Sequence, residues 1–347
     1  MLRTLRLQGS IVNRRGVHMK SLIVRTSGKM ELTEKKLGVL ESGKIRIRMK
    51  YAGVGFADMM AVRGVYILAP RKPFCPGYEF AGLIESIGSA VTGRRVGERV
   101  AGMLPSMDCY QEYIDIDPSW AVAVPEGLSM DSAALIPLNY LTALSMIDRF
   151  ARLSVGQSFV IHGAAGGVGS AALELARHRG LAAFGTGSRA KLADISALGS
   201  TAIEMTDSWL AEARRVCPGG FDAAFDSFGG KCMRDSWASL AKNGTLVSYG
   251  FVPGVDAGNA HLVRGLLFHA GKKLRSQGKK TAICGTPSIV KRNPLWYRQA
   301  LAETFALADK GTLKPKLFDV IPWEKAQEAH QAIIERKVRG KMLLGFS

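Results

Sequence analysis

Ser158-Phe-Val-Ile-His-Gly-Ala-Ala-Gly-Gly-Val-Gly-Ser-Ala-Ala-Leu173 decides how this chain folds. A β-branched and aromatic run ends at His162, and a turn carries Gly163, Gly166, Gly167 and Gly169. A helix-forming run from Ser170 to Arg177 follows at once. Strand, tight turn and helix in that order make a phosphate cradle. The glycines let the backbone approach a pyrophosphate, and free N–H groups at the helix N-terminus meet its charge. Ala164 takes the first position of the strict G-x-G-x-x-G pattern, so the fingerprint is altered there. A glycine-rich turn in an ordinary βα unit is the plainer alternative.

Outward from this turn, the sequence alternates strand and helix: Phe159–His162, Ser170–His178, Leu181–Thr186 and Arg189–Leu198. Asp222–Phe225, Thr245–Tyr249 and Thr281–Cys284 continue the strands, and this alternation predicts a parallel, doubly wound sheet. The chain before it reads differently. Met19–Arg25, Lys44–Lys50, Phe80–Ile87 and Arg99–Met103 are short strands broken by Gly82, Gly88, Gly93 and Gly97. They predict a largely antiparallel β domain. Lys44-Ile-Arg-Ile-Arg-Met-Lys50 alternates basic and apolar residues, as a half-exposed strand does. An amphipathic helix over Trp323–Arg336 and a strand over Lys341–Gly345 close the chain and return to this first domain. The expected division is an extension over 1–18, a β domain over 19–140 and 306–347, and a nucleotide-binding domain over 141–305.

Composition bounds the function. The 347 residues are 47% apolar, enough for two cores in a globular protein. No apolar run reaches the roughly 18–20 residues that span a bilayer. The five cysteines, Cys75, Cys109, Cys217, Cys232 and Cys284, form no C-x-x-C pair and have no histidine at ligand spacing. That excludes a disulfide framework and a structural zinc knuckle, and makes a reducing, cytoplasmic compartment the default. Residues 1–30 carry seven Lys/Arg and no acid, and residues 257–302 carry nine Lys/Arg and no acid. These two segments hold most of the formal charge of +18. The leader 1–18 reads as a tail before Met19, or as a mitochondrial presequence given Arg3, Arg6, Arg14 and Arg15 among apolar residues.

The cofactor follows from what lies after the turn. A dinucleotide fold places an acid about twenty residues past its glycines, on the adenosine ribose. Here that position is Ser188, in Gly185-Thr-Gly-Ser-Arg-Ala-Lys191, with no acid between Leu181 and Ala193. Arg189 and Lys191 stand where a 2′-phosphate emerges, so NADP(H) is expected over NAD(H). The two cations could instead only solvate the start of a surface helix.

With these residues in view, the chain resembles the medium-chain dehydrogenase/reductase superfamily, in its zinc-free quinone oxidoreductase and enoyl reductase branch. The resemblance runs from Met19 to Ser347. It rests on Gly53-Val-Gly-Phe-Ala-Asp58, Pro76-Gly-Tyr-Glu-Phe-Ala-Gly82, Val96-Gly-Glu-Arg-Val100 and Leu135-Ile-Pro-Leu-Asn-Tyr-Leu-Thr-Ala143. Asp226-Ser-Phe-Gly-Gly230, Gly244-Thr-Leu-Val-Ser-Tyr-Gly250 and Arg339-Gly-Lys-Met-Leu-Leu344 complete it. It implies an α/β protein: a GroES-like, mainly antiparallel β domain beside a Rossmann doubly wound parallel sheet, commonly as a homodimer. Zinc-dependent relatives carry Cys and His in the first motif and His in the second. Gly55, Phe56 and Tyr78 stand there in this chain, so no metal is expected.

Without a Lewis acid, hydride addition to a quinone or to an α,β-unsaturated carbonyl is the reaction that needs least electrophilic help. Proton delivery then needs a positioned hydroxyl. The resemblance implies Tyr66, in Arg63-Gly-Val-Tyr-Ile67, as that catalytic donor; a wall tyrosine shaping the pocket is the alternative. By the same resemblance Ala165, Gly166, Gly167 and Val168 hold the pyrophosphate and Thr142 holds the nicotinamide region. Ser188, Arg189 and Lys191 take the adenosine end, and Ser227, Tyr249, Gly250, Phe251 and Lys341 border the cofactor. Tyr140 is either a cleft residue or a buried helix tyrosine, and His162 reads as structural. Gly55 and Asn139 depart from the branch's pattern and leave the acceptor open.

Two classes of function remain. One is an NADPH-dependent reductase of a small hydride acceptor, anionic or carrier-bound if segment 257–302 recruits it. The other is a weakly catalytic NADPH-binding member acting through that basic segment on a membrane or RNA.

Overall fold

Burial on one face or on both separates the two sheets of this chain. The computed structural model describes residues 18–249, 260–274 and 278–347. The N-terminal extension, Gly250 and Phe251 lie outside those residues. In chain order the first part runs β1 (His18–Ile23), β2 (Glu31–Lys36), β3 (Ile45–Val54), α1 (Phe56–Val62), β4 (Glu79–Ile87), β5 (Arg99–Met103), β6 (Tyr113–Ile116) and β7 (Val122–Ala123). Helices α2 (Met130–Ala134) and α3 (Pro137–Leu144) lead to β8 (Ser158–His162), α4 (Gly167–Arg179), β9 (Ala182–Gly187), α5 (Leu192–Ala197), β10 (Thr201–Glu204), α6 (Trp209–Val216), β11 (Phe221–Asp226), α7 (Gly230–Ala238) and β12 (Leu240–Ser248). Then come α8 (Ala260–Leu274), β13 (Lys280–Ile283), α9 (Thr286–Arg292), α10 (Pro294–Asp309), β14 (Leu317–Pro322), α11 (Ala326–Ile334) and β15 (Lys341–Gly345).

The middle of β8, Phe159–Ile161, is apolar and fully buried because helices cover both faces of its sheet. That six-stranded sheet is parallel throughout, in the order β10-β9-β8-β11-β12-β13. The order reverses at β8, and a parallel sheet opens a crevice at such a switch point, outside its strand C-termini. The second sheet, β14-β15-β3-β4-β5-β7 with β6 also on β3, is antiparallel except where β14 joins β15. β1 and β2 pair as a separate ribbon. The fold class is thus α/β, an antiparallel β unit beside a parallel doubly wound sheet. No helix among the described residues is long and apolar enough to cross a membrane.

The alternation read over Lys44–Lys50 holds in the first half of β3 with one exception, Arg46. Ile45, Ile47 and Met49 are buried and Arg48 is exposed, but Arg46 is buried too. Its guanidinium grips Asp115 on β6 through two 2.7 Å bonds and donates to the Gly38 carbonyl at 2.8 Å. A cross-strand carboxylate accounts for a charge that the pattern placed in solvent.

Helix α11 packs its inner face on the antiparallel sheet and carries His330, only 2% exposed, with neither ring nitrogen hydrogen-bonded. Burial pulls its pKa down to about 4. The unfolded chain therefore binds this proton first as pH falls. Stability is complete above the ordinary value of 6.5 and is lost between 6.5 and about 4. His330→Leu should erase about 2 kcal/mol of the drop in urea-unfolding stability between pH 7.5 and pH 5. An identical pH slope in the variant would show that His330 does not titrate in this window.

Candidate active site

The cleft at the switch point is built first by the glycine turn. Gly163 has φ +68°, and Gly166 is the extended residue before α4. The first turn of α4 contains no acid, while its last turn carries Arg177, His178 and Arg179, as the helix dipole favours. A Cβ on Gly169 would lie 2.5 Å from the Ala164 Cα and 2.6 Å from the Gly163 carbonyl, so only glycine lets α4 sit on the turn. Ala164 breaks the fingerprint harmlessly: its methyl is fully buried and points at Gly185 of β9, where a Cβ would come within 2.6 Å of it. The requirement for a small residue has moved to the neighbouring strand. Asn139 on α3 crowds Gly167, whose Cβ would meet its Nδ2 at 2.5 Å. The turn is also tied to the other sheet, since the Gly340 N–H donates to the Ala165 carbonyl at 2.9 Å.

The resulting cleft has a volume of about 1320 Å³. It brings together Tyr66, Thr142, Ala165, Gly166, Gly167, Val168, Ser188, Lys191, Ser227, Tyr249 and Lys341. Arg189 stands outside that lining: its side chain is 87% exposed and lies 3.5 Å from the Glu204 carboxylate. Gly250 and Phe251 are outside the described residues.

At one end of the cleft, the Lys191 ammonium donates to the carbonyls of Arg336 and Val338 at 3.0 and 3.2 Å. Its pKa is lowered by burial and by the nearby Arg339 and Arg336 guanidinium groups. Arg339 and Lys316 both pair with Asp194, whereas Arg336 lines the cleft. The sequence reading missed Arg336. It lies 145 residues from Lys191, and no local pattern marks it.

At the other end, the Thr142 hydroxyl donates to the Leu138 carbonyl at 2.6 Å and lies 2.7 Å from the Thr286 hydroxyl. The Tyr249 hydroxyl donates to the His162 carbonyl at 3.0 Å. Tyr140 is a buried helix tyrosine whose hydroxyl donates to Glu174 at 2.5 Å. His162, Asp226 and Cys232 hold ligand-type atoms within 4.8 Å of one another. Their bonding is structural: Thr186 and Ser236 hold the two His162 nitrogens, while the Gly229 N–H and the Ser236 hydroxyl donate to Asp226. Burial lowers the His162 pKa, which fits a neutral structural ring.

Tyr66 is half-buried in the lining of the cleft, after a turn in which Gly64 has φ +76°. Burial pushes its phenol up to about 12, and the nearby Asp58 adds to that. Behind it Asp58, Tyr78 and Glu79 are fully buried. Asp58 accepts the Gly55 N–H at 2.8 Å, and burial raises its carboxyl to about 7 against the pull of that bond. Glu79 accepts the Leu138 N–H at 2.7 Å and pairs with the Lys341 ammonium. Lys341 therefore lines the cleft while its charge is spent on Glu79. Zinc does not fit here: Gly55 offers no ligand, Phe56 none, and Tyr78 a buried phenol with a strongly raised pKa.

The described part of the basic segment is divided among several elements. It spans α8, β13, α9 and the start of α10, and Lys272 and Lys279 lie over the Trp237 ring at 5.2 and 5.8 Å.

Residues 41–126 match the alcohol dehydrogenase GroES-like domain family, and residues 199–344 match the family described as zinc-binding dehydrogenase. The synaptic vesicle membrane protein VAT-1 homologues of zebrafish (Danio rerio) and human are 32% and 30% identical. These alignments cover 88% and 87% of this chain, but 64% and 79% of those proteins. The mouse quinone oxidoreductase-like protein 2 is 28% identical over 87% of this chain and 85% of its own. Two solved structures share the fold, each 24% identical. The quinone oxidoreductase of Pseudomonas syringae has a TM-score of 0.83 over 94% of this chain and 100% of its own. The CurK enoyl reductase has a TM-score of 0.81 over 95% and 99%. A glycine turn at the switch point, two sheets of the expected kinds and these matches together make the chain a member of the medium-chain dehydrogenase/reductase superfamily.

Proposed function

We propose that this protein is an NADPH-dependent, zinc-independent reductase of a quinone or an α,β-unsaturated carbonyl. One observation carries the reading: a single cleft joins a phosphate-cradling turn to a half-buried phenol. Residues 166–168 open α4 with backbone N–H groups for the pyrophosphate, Thr142 and Ser227 orient the nicotinamide end, and Lys191 with Arg336 meets a 2′-phosphate. The bound nicotinamide supplies a hydride. Phe56, Met60, Val65, Leu68 and Ile289 give the acceptor an apolar wall that excludes water. Tyr66 holds the proton, at its phenolic oxygen, that the reduced acceptor takes up.

NADPH oxidation measured against a panel of quinones, enones and enoyl thioesters tests this reading, and no turnover with any acceptor would overturn it. The cofactor assignment has its own prediction. Lys191→Ala and Arg336→Ala should each weaken NADPH binding about tenfold or more while leaving NADH affinity unchanged, as loss of a charge-assisted bond to phosphate requires. Equal effects on both cofactors would remove the 2′-phosphate from this end of the cleft. We also propose a homodimer. β13 is a sheet edge, and Val263, Leu267 and Leu274 of the adjoining α8 are exposed. Sedimentation should give twice the chain mass, and a monomer would refute it.

A further inference from the structure

Behind Tyr66 lies a buried hydroxyl without a hydrogen-bond partner among the described residues. Tyr78 is 0% exposed, and its backbone is fixed where the Leu104 N–H donates to its carbonyl at 2.7 Å. Gly77 precedes it with φ +96°, where a Cβ would strike the Tyr110 ring at 2.3 Å. Tyr78 is thus rigidly placed, yet its hydroxyl meets no hydrogen-bond partner among the described residues. A buried polar group left without a partner is costly, and such a group calls for a reason. The ring it faces is Tyr66, edge-on, with centroids 6.4 Å apart and planes at 83°.

We propose that Tyr78 is the positioning residue of the proton donor: its hydroxyl donates a hydrogen bond to the Tyr66 oxygen as Tyr66 gives up its proton. This rests on the reading of Tyr66 as donor. In the step, the Tyr66 O–H bond breaks and a C–H bond forms on the carbanionic carbon of the hydride-reduced acceptor. The electron pair left on the Tyr66 oxygen accepts the Tyr78 O–H, and solvent later returns the proton to Tyr66. The direction of donation follows from the surroundings. Burial raises the Tyr78 phenol far more than that of Tyr66, and Asp58 and the Tyr66 hydroxyl add to this. The Tyr78 hydroxyl, conversely, favours the ionised form of Tyr66, which Asp58 and Cys284 oppose. Glu79, Lys341 and Asp58 are the charged groups packed around this pocket, and the first two neutralise each other. Tyr78 therefore keeps its proton and Tyr66 is the one that parts with its own.

The test compares Tyr78→Phe, Tyr66→Phe and the double variant, with NADPH and a simple enone such as 3-penten-2-one. Tyr78→Phe should lower kcat about tenfold or more, the loss of one hydrogen bond to a developing oxyanion, with KM for NADPH unchanged. The double variant should be no slower than Tyr66→Phe alone, because Tyr78 acts only through Tyr66. The thermal midpoint of Tyr78→Phe should hold or rise, since the lost hydroxyl had no partner. A lowered midpoint, an unchanged kcat, or multiplying effects in the double variant would each overturn the role of Tyr78. If Tyr66→Phe itself turns over normally, the reading of Tyr66 falls and this one with it. A loss at Tyr66 with none at Tyr78 sinks only the positioning role.

Discussion

Lys341→Met is expected to destabilise the protein by about 3–5 kcal/mol, read from urea unfolding at pH 7.5. Lys341 and Glu79 are 3% and 0% exposed, so their charges are balanced by each other and not by water. Breaking one side of such a pair leaves an uncompensated buried charge. The Glu79 carboxylate would keep its bond from the Leu138 N–H, at the start of α3, and nothing else of opposite charge. Asp58 would lose the cation that now restrains its carboxyl, and its pKa would move further up from about 7. The pair also needs room, which Gly53 gives: a Cβ there would lie 2.5 Å from Glu79 Oε2 and 2.7 Å from Lys341 Cε. The double variant Glu79→Gln/Lys341→Met should recover much of the loss, because a neutral pair of similar volume has no charge to desolvate. A single-variant loss under about 1 kcal/mol would mean that water reaches Glu79 and that the pair is not what joins β4, β15 and α3.

That ion pair marks the limit of what the sequence could tell. The glycine turn is legible because every requirement is local: a strand, close-packed backbone and a helix start within a dozen residues. The apolar run Phe159–Ile161 of β8 and the interrupted strands before residue 125 likewise carry the two sheets in their own periodicity. β2, Glu-Leu-Thr-Glu-Lys-Lys, is nearly all exposed and shows no apolar face to read. β14 is similarly exposed, and becomes a strand by pairing in parallel with β15. At the cleft, Lys191 is legible from its distance to the glycines. Arg189 shares that distance but turns outward toward Glu204. Arg336 enters from the loop after α11, because the carbonyls of 336 and 338 hold the Lys191 ammonium. Lys341 belongs to a recognisable motif, yet its partner is 262 residues away, so its use in an ion pair was hidden. Local chemistry is written in the sequence; which distant chain segment completes it is decided by packing.

Tyr66→Phe carries the largest expected effect on activity. Removing a positioned general acid should lower kcat with an enone about 10²–10³-fold, with NADPH binding unaltered. The phenyl ring preserves the wall of the cleft, so a residue that only shapes the pocket would change KM for the acceptor and leave kcat in place. The pH dependence sharpens the distinction. With its phenol pushed up to about 12, Tyr66 stays protonated and competent throughout the neutral range, and loses its proton only when pH climbs toward that value. Turnover of the native protein should therefore show no alkaline limb from this group between pH 6 and about 10. A quinone gives the internal control. Its reduced oxygens can take protons from water, so Tyr66→Phe should cost far less with a quinone than with an enone, whose new C–H bond needs a donor held at the carbon. Equal losses with both acceptors would place the fault in cofactor or acceptor binding and take the proton away from Tyr66. A loss confined to the enone would tie the phenol to carbon protonation.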